Sequence, residues 1–330
     1  MIITVIGDGG WGTCLAINLS GSGNEVRLWG AFPDYVKKLN HKRENEKFLP
    51  GIPIPPAVMI TSDPDEAVKA ASVIVVAVPS QHVRAALGRF KGLRGLRAGI
   101  VSAAKGIEVK TLLPMSEVIK DVLGNVKMAV LSGPSIAYEV ARSMPTTVVA
   151  ASSDSSFVKE LQAMFMTESL RVYTSEDVIG VELGGALKNI IAIASGIADG
   201  LGFGANSKAA ILTRGIQELT RLGVAMGAKR ETFSGLSCMG DLITTCMSSH
   251  SRNRWLGEEI GKGRKPGDVV ASTEMAVEGY ATTKSAHELS GKYKTEMPIT
   301  NEMYEILFNG KDPRVAVKAL MTRAPKEEIY

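Results

Sequence analysis

The stretch Ile2-Ile3-Thr4-Val5-Ile6-Gly7-Asp8-Gly9-Gly10-Trp11-Gly12-Thr13 decides the fold. An apolar, β-branched run leads into glycines 7, 9 and 12, which match G-x-G-x-x-G in the strand–turn–helix setting where that pattern indicates a dinucleotide site. Gly7 allows the tight turn, Gly9 admits a pyrophosphate, and Gly12 lets the helix pack closely on its strand. We therefore predict that the phosphates lie at the N-terminus of the first helix.

The protein has 330 residues, of which 45% are hydrophobic, so it can build the cores of two domains. Its net charge of +4, from 38 basic and 34 acidic side chains, is too small to indicate a nucleic-acid partner. Cys14, Cys238 and Cys246 lack C-x-x-C or zinc-site spacing, so we interpret them as reduced thiols and expect no metal. Without a signal segment or a run of about 18 uncharged apolar residues, we expect a cytoplasmic protein with no membrane span.

Short apolar runs that alternate with helical patterns predict a parallel sheet in the first half. We predict strands at 2–6, 25–29, 72–80, 99–103, 127–131 and 146–150, a first helix at 13–19 and an exposed, proline-rich connection at 40–62. From residue 176 only helical spacing recurs, at 176–198, 208–223, 252–261, 282–290, 299–308 and 313–321. The predicted fold class is α/β: a doubly wound parallel sheet in a dinucleotide-binding domain, residues 1–175, followed by an all-α substrate-binding domain, residues 176–330.

The end of the second predicted strand bears on the choice of cofactor. A carboxylate near this point commonly holds the ribose 2′-hydroxyl of NAD. Here the strand runs into Gly30-Ala31-Phe32, and the first acid is Asp34. The sequence therefore leaves NAD or NADP open, and the missing carboxylate favours acceptance of NADPH.

Lys188 is the strongest candidate for chemistry. It lies in a predicted helix that is apolar on nearly every face and therefore buried. Its neighbours Gly184 and Gly185 are small, so we expect a ligand to approach the ammonium closely. Beside a carbonyl, this lysine would polarise the oxygen and donate a proton as hydride arrives at carbon. The alternative, a packed stem whose ammonium reaches water, is equally consistent with the residues.

A second cluster follows in the helical half. Asp241 could orient Lys188 or accept a hydrogen bond from a substrate hydroxyl. The run Ser251-Arg252-Asn253-Arg254 combines guanidinium groups with the free N–H groups of a helix start, which suits a phosphate dianion. A capped surface helix with solvated arginines stays open for this run. Lys105 follows a predicted strand at the carboxyl edge of the sheet, where it would meet substrate or cofactor.

Eight segments in register resemble the bacterial NAD(P)-dependent sn-glycerol-3-phosphate dehydrogenases. They extend from Met1 to about Met321 and comprise residues 7–13, 105–106, 131–135, 182–189, 202–206, 240–242, 251–254 and 277–280. No single segment is decisive, but eight in the same order are specific to this family.

The resemblance implies a Rossmann-type domain and reversible reduction of dihydroxyacetone phosphate to sn-glycerol 3-phosphate with NADH or NADPH, which supplies glycerophospholipid synthesis. It makes Lys188 the proton donor or acceptor, with Asp241 and Lys105 as further catalytic candidates. The implied substrate-binding residues are Lys105, Gly133, Ser135, Lys188, Asn189, Asp241, Thr245, Ser251, Arg252 and Asn253. The implied cofactor-binding residues are Gly7, Gly9, Gly10, Trp11, Gly12, Ala31, Lys105, Ala137, Arg252, Ala276 and Glu278.

Two positions depart from the family pattern. Many members carry a polar or basic side chain where this chain has Ala31, and alanine where it has Asp8. Because a carboxylate close to a pyrophosphate is unfavourable, we predict that Asp8 points to solvent. Dehydrogenases of the 3-hydroxyacid or 6-phosphogluconate type, and a non-catalytic dinucleotide-binding regulator, stay as alternative functions. The sequence leaves a homodimer open.

Overall fold

The computed structural model describes residues 1–93, 97–325 and 327–328. The first half alternates strands and helices: β1 (Ile2–Ile6), α1 (Gly10–Gly21), β2 (Glu25–Trp29), α2 (Pro33–Lys42), β3 (Glu44–Asn45), β4 (Leu49–Pro53), β5 (Val58–Thr61), α3 (Pro64–Val68), β6 (Val73–Val76), α4 (Val83–Leu87), β7 (Gly99–Ser102), α5 (Met115–Leu123), β8 (Met128–Ser132), α6 (Ala137–Ala141), β9 (Thr146–Ala151), α7 (Ser155–Phe165) and β10 (Leu170–Ser175).

In the second half, the described residues form helices and no strand: α8 (Val178–Gly200), α9 (Ala205–Ala225), α10 (Asp241–Met247), α11 (Arg252–Gly261), α12 (Pro266–Ala271), α13 (Glu278–Lys292), α14 (Pro298–Asn309) and α15 (Pro313–Met321). Single 3-10 turns lie at Ser80–His82, Lys91–Leu93 and Arg230–Ser234, and a π-helical turn spans Leu236–Gly240. The six predicted helical segments are confirmed, but α10 and α12 were not predicted.

Eight strands form one sheet in the order β10-β9-β8-β7-β6-β1-β2-β5. The pairs from β5 to β8 are parallel, and all four residues of β6 are buried, as the continuous apolar run predicts. The predicted doubly wound parallel sheet is confirmed, with one exception at the junction where β9 pairs antiparallel with β8. The only helix between them, α6, has five residues and rises about 7.5 Å, too little to carry the chain back across the sheet.

The sheet is wider than the sequence predicts. Residues 40–62 are not simply an exposed connection, because they include the β3–β4 hairpin and the edge strand β5. The other edge strand, β10, was also missed, although its first three residues alternate between buried and exposed. The first helix is longer than predicted, since it begins at Gly10 and ends at Gly21.

The strand order places the loop after β1 where the order of the strands reverses. β1 lies between β2 and β6, so the chain direction across the sheet reverses between β1 and β6. Ligands of open α/β sheets bind in the crevice at such a reversal, outside the carboxyl ends of the strands. The loop of residues 7–12, called the glycine loop below, therefore lies at the expected ligand crevice.

The helical half is built around α8, which contacts α9, α10, α11, α13 and α14. Among the described residues, α8 alone is long and apolar enough to cross a membrane, yet 89% of its most apolar 18 residues are buried inside the protein. A buried, apolar central helix is typical of the core of a soluble fold.

Candidate active site at the carboxyl edge of the sheet

The glycine loop has the geometry that a pyrophosphate site requires. Gly7 has a φ of +119°, and a Cβ built on it would lie 2.8 Å from the carbonyl carbon of Ala77. A Cβ on Gly12 would overlap the carbonyl oxygen of Gly7, so this glycine permits the close packing of α1 on β1. A Cβ on Gly9 would meet nothing within 4 Å, which leaves open space in front of the loop. The three glycines thus differ in role as the motif predicts.

The start of α1 has donors for an anion. No side chain caps this helix, and its first turn contains no acidic residue. The backbone N–H groups of a helix start lack intrahelical acceptors and lie at its positive end, so the residues present fit a dinucleotide pyrophosphate. Trp11 Nε1 is buried and has no hydrogen bond within the part of the chain that the structure describes, and a Cβ on Gly10 would overlap the carbonyl oxygen of Phe48.

Asp8 does not point to solvent, so that prediction is wrong. Its Oδ2 atom is buried and has no hydrogen-bond partner among the described residues. A Cβ built on Gly30 would overlap this oxygen and lie 2.8 Å from Asp8 Cγ. Because Gly30 has no side chain, the carboxylate turns inward over the end of β2, next to Ala31. Asp34, the acid noted in the sequence, is instead 94% exposed.

Lys188 lies on α8 with 6% of its surface exposed. Its Nζ donates a hydrogen bond to Asp241 Oδ1 at 2.8 Å and a second to Thr245 Oγ1. An ammonium group has three N–H donors, so one remains for a ligand. The alternative that the ammonium reaches solvent is excluded by this burial.

Lys105 lies opposite Lys188, three residues after the end of β7. Its Nζ donates to Asp241 Oδ2 at 2.7 Å, to the carbonyl oxygen of Gly133 at 2.9 Å and to Ser135 Oγ at 3.0 Å. These contacts use all three of its donors. Lys105 thus differs from Lys188, which retains an uncommitted N–H.

Asp241 bridges the two lysines at the start of α10. Burial tends to raise the pKa of its carboxyl group, but the charges of Lys105 and Lys188 together hold that pKa below its ordinary value. Burial, together with the repulsion of Lys188, lowers the pKa of Lys105 to about 8 even though Asp241 opposes this shift. We call Lys105, Lys188 and Asp241 the lysine–aspartate cluster; it carries two ammonium groups against one carboxylate.

The small residues before Lys188 have another role than predicted. A Cβ on Gly184 would lie 2.8 Å from Cys238 Cβ, and one on Gly185 would overlap Ser132 Oγ. These glycines let the π-helical turn and the end of β8 pack directly on α8. The expectation that they leave room for a ligand is therefore wrong.

At the start of α11, the exposed guanidinium group of Arg252 lies beside the buried side-chain amide of Asn253. Arg252 is exposed and forms no ion pair within the described residues, while its guanidinium carbon lies 5.9 Å from the Trp255 ring. Asn253 is buried; it donates to Asn189 Oδ1 at 2.8 Å and accepts from the Gly279 N–H at 2.8 Å. Ser251 caps the helix by accepting the Arg254 N–H at 3.2 Å.

Arg254 is not available to a ligand. Its Nε pairs with Asp199 at 2.7 Å, and Asp199 also pairs with Lys208. This network joins α8, α9 and α11. Of the two arginines in the predicted phosphate cluster, Arg252 alone presents its guanidinium to the surface.

Three further predicted cofactor residues are Glu278, Ala137 and Ala276. Glu278 begins α13 and accepts hydrogen bonds from the Ser80 N–H at 2.9 Å and from Ser80 Oγ. Burial raises the pKa of Glu278. Ala137 begins α6, and Ala276 is exposed. The Ser80–Glu278 contact was not predicted, because no sequence pattern pairs residues so far apart in the chain.

Two family models match most of the chain. The model described as NAD-dependent glycerol-3-phosphate dehydrogenase N-terminus matches residues 2–158, and the corresponding C-terminus model matches residues 177–318. A curated glycerol-3-phosphate dehydrogenase (NAD(P)+) of Chlorobium phaeobacteroides is 49% identical over 332 residues, covering 100% of this chain and 99% of the relative. The protein of the same name from Thermoanaerobacter sp. is 49% identical with the same coverage of both chains.

Solved structures give the same result. A glycerol-3-phosphate dehydrogenase of Coxiella burnetii superposes with a TM-score of 0.94 at 39% identity, covering 98% of this chain and 99% of that one. The glycerol-3-phosphate dehydrogenase of Saccharomyces cerevisiae gives a TM-score of 0.82 at 27% identity, with 96% and 98% coverage. A D-mandelate dehydrogenase solved with NADH, at 12% identity and a TM-score of 0.66, shares the fold alone.

Proposed function

This chain belongs to the NAD-dependent glycerol-3-phosphate dehydrogenase family, and we propose that its reaction takes place at the lysine–aspartate cluster. It is an NAD(P)-dependent oxidoreductase that interconverts dihydroxyacetone phosphate and sn-glycerol 3-phosphate. The observation that carries the placement is the third N–H of Lys188, a buried ammonium group with two partners inside the protein.

Each member of the cluster has a distinct role in this proposal. A bound nicotinamide supplies the hydride that reduces the ketone carbon. Lys188 donates its free N–H to the carbonyl oxygen and transfers that proton as the oxygen gains negative charge. Asp241 orients the Lys188 ammonium group through its hydrogen bond. Lys105 adds a second positive charge and, through Gly133 and Ser135, fixes the carboxylate against the sheet.

The substrate phosphate lies, in this proposal, at the start of α11. The exposed Arg252 guanidinium offers a fork of donors, and the backbone N–H groups of Arg252 and Asn253 lie at the positive end of the helix. Asn253, fixed by Asn189 and Gly279, holds this end of α11 against α8 and α13. Binding the phosphate away from the ketone would orient the reacting carbon.

In this proposal the two halves of the chain bind different ligands. We assign the dinucleotide to residues 1–175, with its pyrophosphate on the glycine loop, and most substrate contacts to residues 176–330. Strand spacing puts the ends of β1 and β7 about 10 Å apart, so a dinucleotide on the glycine loop can extend along the sheet edge towards Lys105. Glu278 and Ser80 would border this path.

The setting of the reaction follows from its chemistry. sn-Glycerol 3-phosphate is the backbone of glycerophospholipids, so the enzyme would supply their synthesis. We place it in the cytoplasm, where its three buried, unpaired cysteines would stay reduced. Assembly as a homodimer is a further part of the proposal; sedimentation at twice the mass of the chain would support it.

A spectrophotometric assay tests this function. The purified enzyme is given dihydroxyacetone phosphate or a 3-oxoacid with NADH and with NADPH, and in separate assays 6-phosphogluconate with NAD+ and with NADP+. Rapid oxidation of the nicotinamide with dihydroxyacetone phosphate alone is expected. Comparable turnover of a substrate that carries a carboxylate and no phosphate would contradict the assignment of the phosphate site.

A further inference from the structure

The carboxylate of Asp8 lies at the end of β2, where NAD-binding sheets usually have an acidic residue of the strand itself. In NAD-binding sheets the acid that bonds the adenosine ribose stands at the end of β2. In this chain β2 ends at Trp29 and continues as Gly30-Ala31-Phe32, with no acid. Asp8 reaches the same place from the glycine loop, with its carboxyl group directly over the Cα of Gly30.

A buried network fixes this position. The carbonyl oxygen of Asp8 accepts a hydrogen bond from Asn45 Nδ2 at 2.8 Å, and the same amide donates to Thr13 Oγ1 at 2.7 Å. Asn45 is fully buried, and its oxygen accepts from the Tyr35 hydroxyl at 2.6 Å. The backbone of the loop at Asp8 is therefore held by residues of α1, α2 and β3.

One oxygen of this carboxylate, Oδ2, is buried and lacks a hydrogen-bond partner among the described residues. Buried side-chain oxygens are almost always hydrogen-bonded, so an exception calls for a physical explanation. Burial raises the pKa of Asp8, and a hydrogen bond from its own backbone N–H together with the positive charge of Lys47 opposes that shift only in part. A hydroxyl donor from a ligand would supply the partner that Oδ2 lacks.

We propose that Asp8 is the residue that accepts the adenosine ribose 2′-hydroxyl and makes this enzyme prefer NAD(H) over NADP(H). The 2′-phosphate of NADP would bring a dianion against this carboxylate, in a partly buried position where like charges repel strongly. The inference rests on the proposed function, because it presumes that the dinucleotide binds on the glycine loop. It also reverses the expectation from the sequence, in which the missing acid on β2 favoured NADPH.

Arg89, a basic residue near the end of β2, is an alternative to Asp8 as the residue that discriminates between NAD and NADP. Arg89 donates from Nη1 to the carbonyl oxygen of Ala31 at 3.0 Å, and its guanidinium carbon lies 5.0 Å from the Trp29 ring. A guanidinium beside the ribose is what recognition of a 2′-phosphate uses. Arg89 already bonds the backbone and covers the face of Trp29, whereas Asp8 Oδ2 has no partner. The unpartnered group is the better candidate for the ligand.

Direct binding measurements test the proposal without turnover. Dissociation constants for NADH and NADPH are measured by nicotinamide fluorescence on the wild-type enzyme and on Asp8→Ala, Asp8→Asn and Asp34→Ala. We expect the wild type to bind NADH at least about tenfold more tightly, which corresponds to about 1.4 kcal/mol. Asp8→Ala should weaken NADH binding, strengthen NADPH binding and remove the preference.

The other variants separate charge from hydrogen bonding. Asp8→Asn keeps an acceptor without the charge, so NADH affinity should be retained while NADPH affinity rises. Asp34→Ala removes an exposed carboxylate near the same strand end and should leave both constants unchanged. Circular dichroism melting curves establish that each variant is folded.

The outcomes are distinguishable. If the wild type binds neither nucleotide, the proposed function fails. If it binds both and Asp8→Ala leaves their ratio within about twofold, the function stands and this inference is overturned. Selective loss of NADPH binding in Arg89→Ala, with no effect of Asp8→Ala, would assign the discrimination to Arg89 and equally overturn it.

Discussion

Lys188 has one uncommitted N–H, which distinguishes it from Lys105. Replacing Lys188 by methionine keeps an apolar stem of similar length but removes the proton donor. We expect kcat for reduction of dihydroxyacetone phosphate to fall at least about a hundredfold, the usual effect of losing a positioned acid. Steady-state kinetics of this variant, with Lys159→Met on the exposed face of α7 as control, measure the effect. A kcat near that of the control would remove Lys188 from the reaction.

Lys105 should give the enzyme a decline in activity at alkaline pH. Burial lowers the pKa of this ammonium to about 8, so it is charged below that pH and loses its charge above it. Asp241, Lys188 and Ser135 are the polar groups facing it. Because positive charge near the ketone oxygen favours reduction, kcat/KM should be constant near pH 7 and fall through about pH 8. The substrate phosphate does not obscure this, since a phosphate monoester is already largely a dianion there.

The matched variant is Lys105→Arg, whose guanidinium stays charged throughout this range. Its kcat/KM should be lower overall, because the fork cannot reproduce the three bonds of Lys105, but should not decline between about pH 7 and about pH 9. A wild-type profile that is flat to about pH 9 would contradict the lowered pKa of Lys105.

For individual residues, the sequence was a better guide to which side chains are candidates for the site than to the direction in which those side chains point. Lys188, Asp241 and Lys105 were each predicted from local reasoning: a lysine in an apolar helix, and polar residues at expected ligand edges. Their joint geometry depends on how α8 and α10 pack against β7 and β8, which no local pattern contains. Asp8 was misjudged for the same reason, because the space over Gly30 exists only in the folded sheet.

Among the helices, α14 begins without a cap of its own. Met297 stands at its N-cap position and has no suitable acceptor, and Pro298 follows. Glu218 of α9 supplies the missing acceptor: its carboxylate takes the N–H groups of Ile299 at 2.7 Å and Thr300 at 3.1 Å. Burial raises the pKa of Glu218 to about 7. Glu218 thus joins two helices, and its buried position favours the neutral form of the carboxyl group.

Glu218→Gln should therefore change the pH dependence of stability. An acid whose folded pKa lies above its unfolded value stabilises most below the unfolded pKa, and this contribution is lost as pH rises through the folded pKa. The wild type should exceed the variant in free energy of unfolding at about pH 5, and the difference should shrink by about pH 8. Urea unfolding at both pH values measures this, with Glu288→Gln on the exposed surface of α13 as control. A difference that grows with pH would contradict it.

The elements were predicted where burial gives a simple pattern. β6 reads as a continuous apolar run because both of its faces are covered, and α8 is apolar all round because other helices surround it. Edge strands lack such a signal: β5 follows a pair of prolines, and β10 was missed despite the alternation at its start. The reversed direction of β9 could not be predicted from its own residues, since it follows from the shortness of α6.

At the scale of the whole molecule, two of the polar contacts that join the described parts of the two halves lie at the proposed site. Ser80, after β6, is bonded to Glu278 on α13, and Lys105, after β7, is paired with Asp241 on α10. Asp241 is also paired with Lys188 inside the helical half. The same carboxylate therefore orders Lys188 and attaches the helices to the sheet.

This double role predicts an asymmetry between two substitutions. Asp241→Asn leaves two buried ammonium groups without a counter-charge, so the free energy of unfolding should fall by about 3 kcal/mol or more. Lys105→Met leaves Asp241 still paired with Lys188 and should cost less than about half as much. Urea unfolding near neutral pH compares them, with Glu117→Gln in the exposed Lys120–Glu117 pair, expected within about 0.5 kcal/mol of wild type, as control. Equal losses in Asp241→Asn and Lys105→Met would mean that the carboxylate serves Lys105 alone, and Lys188 would then need another source of its orientation.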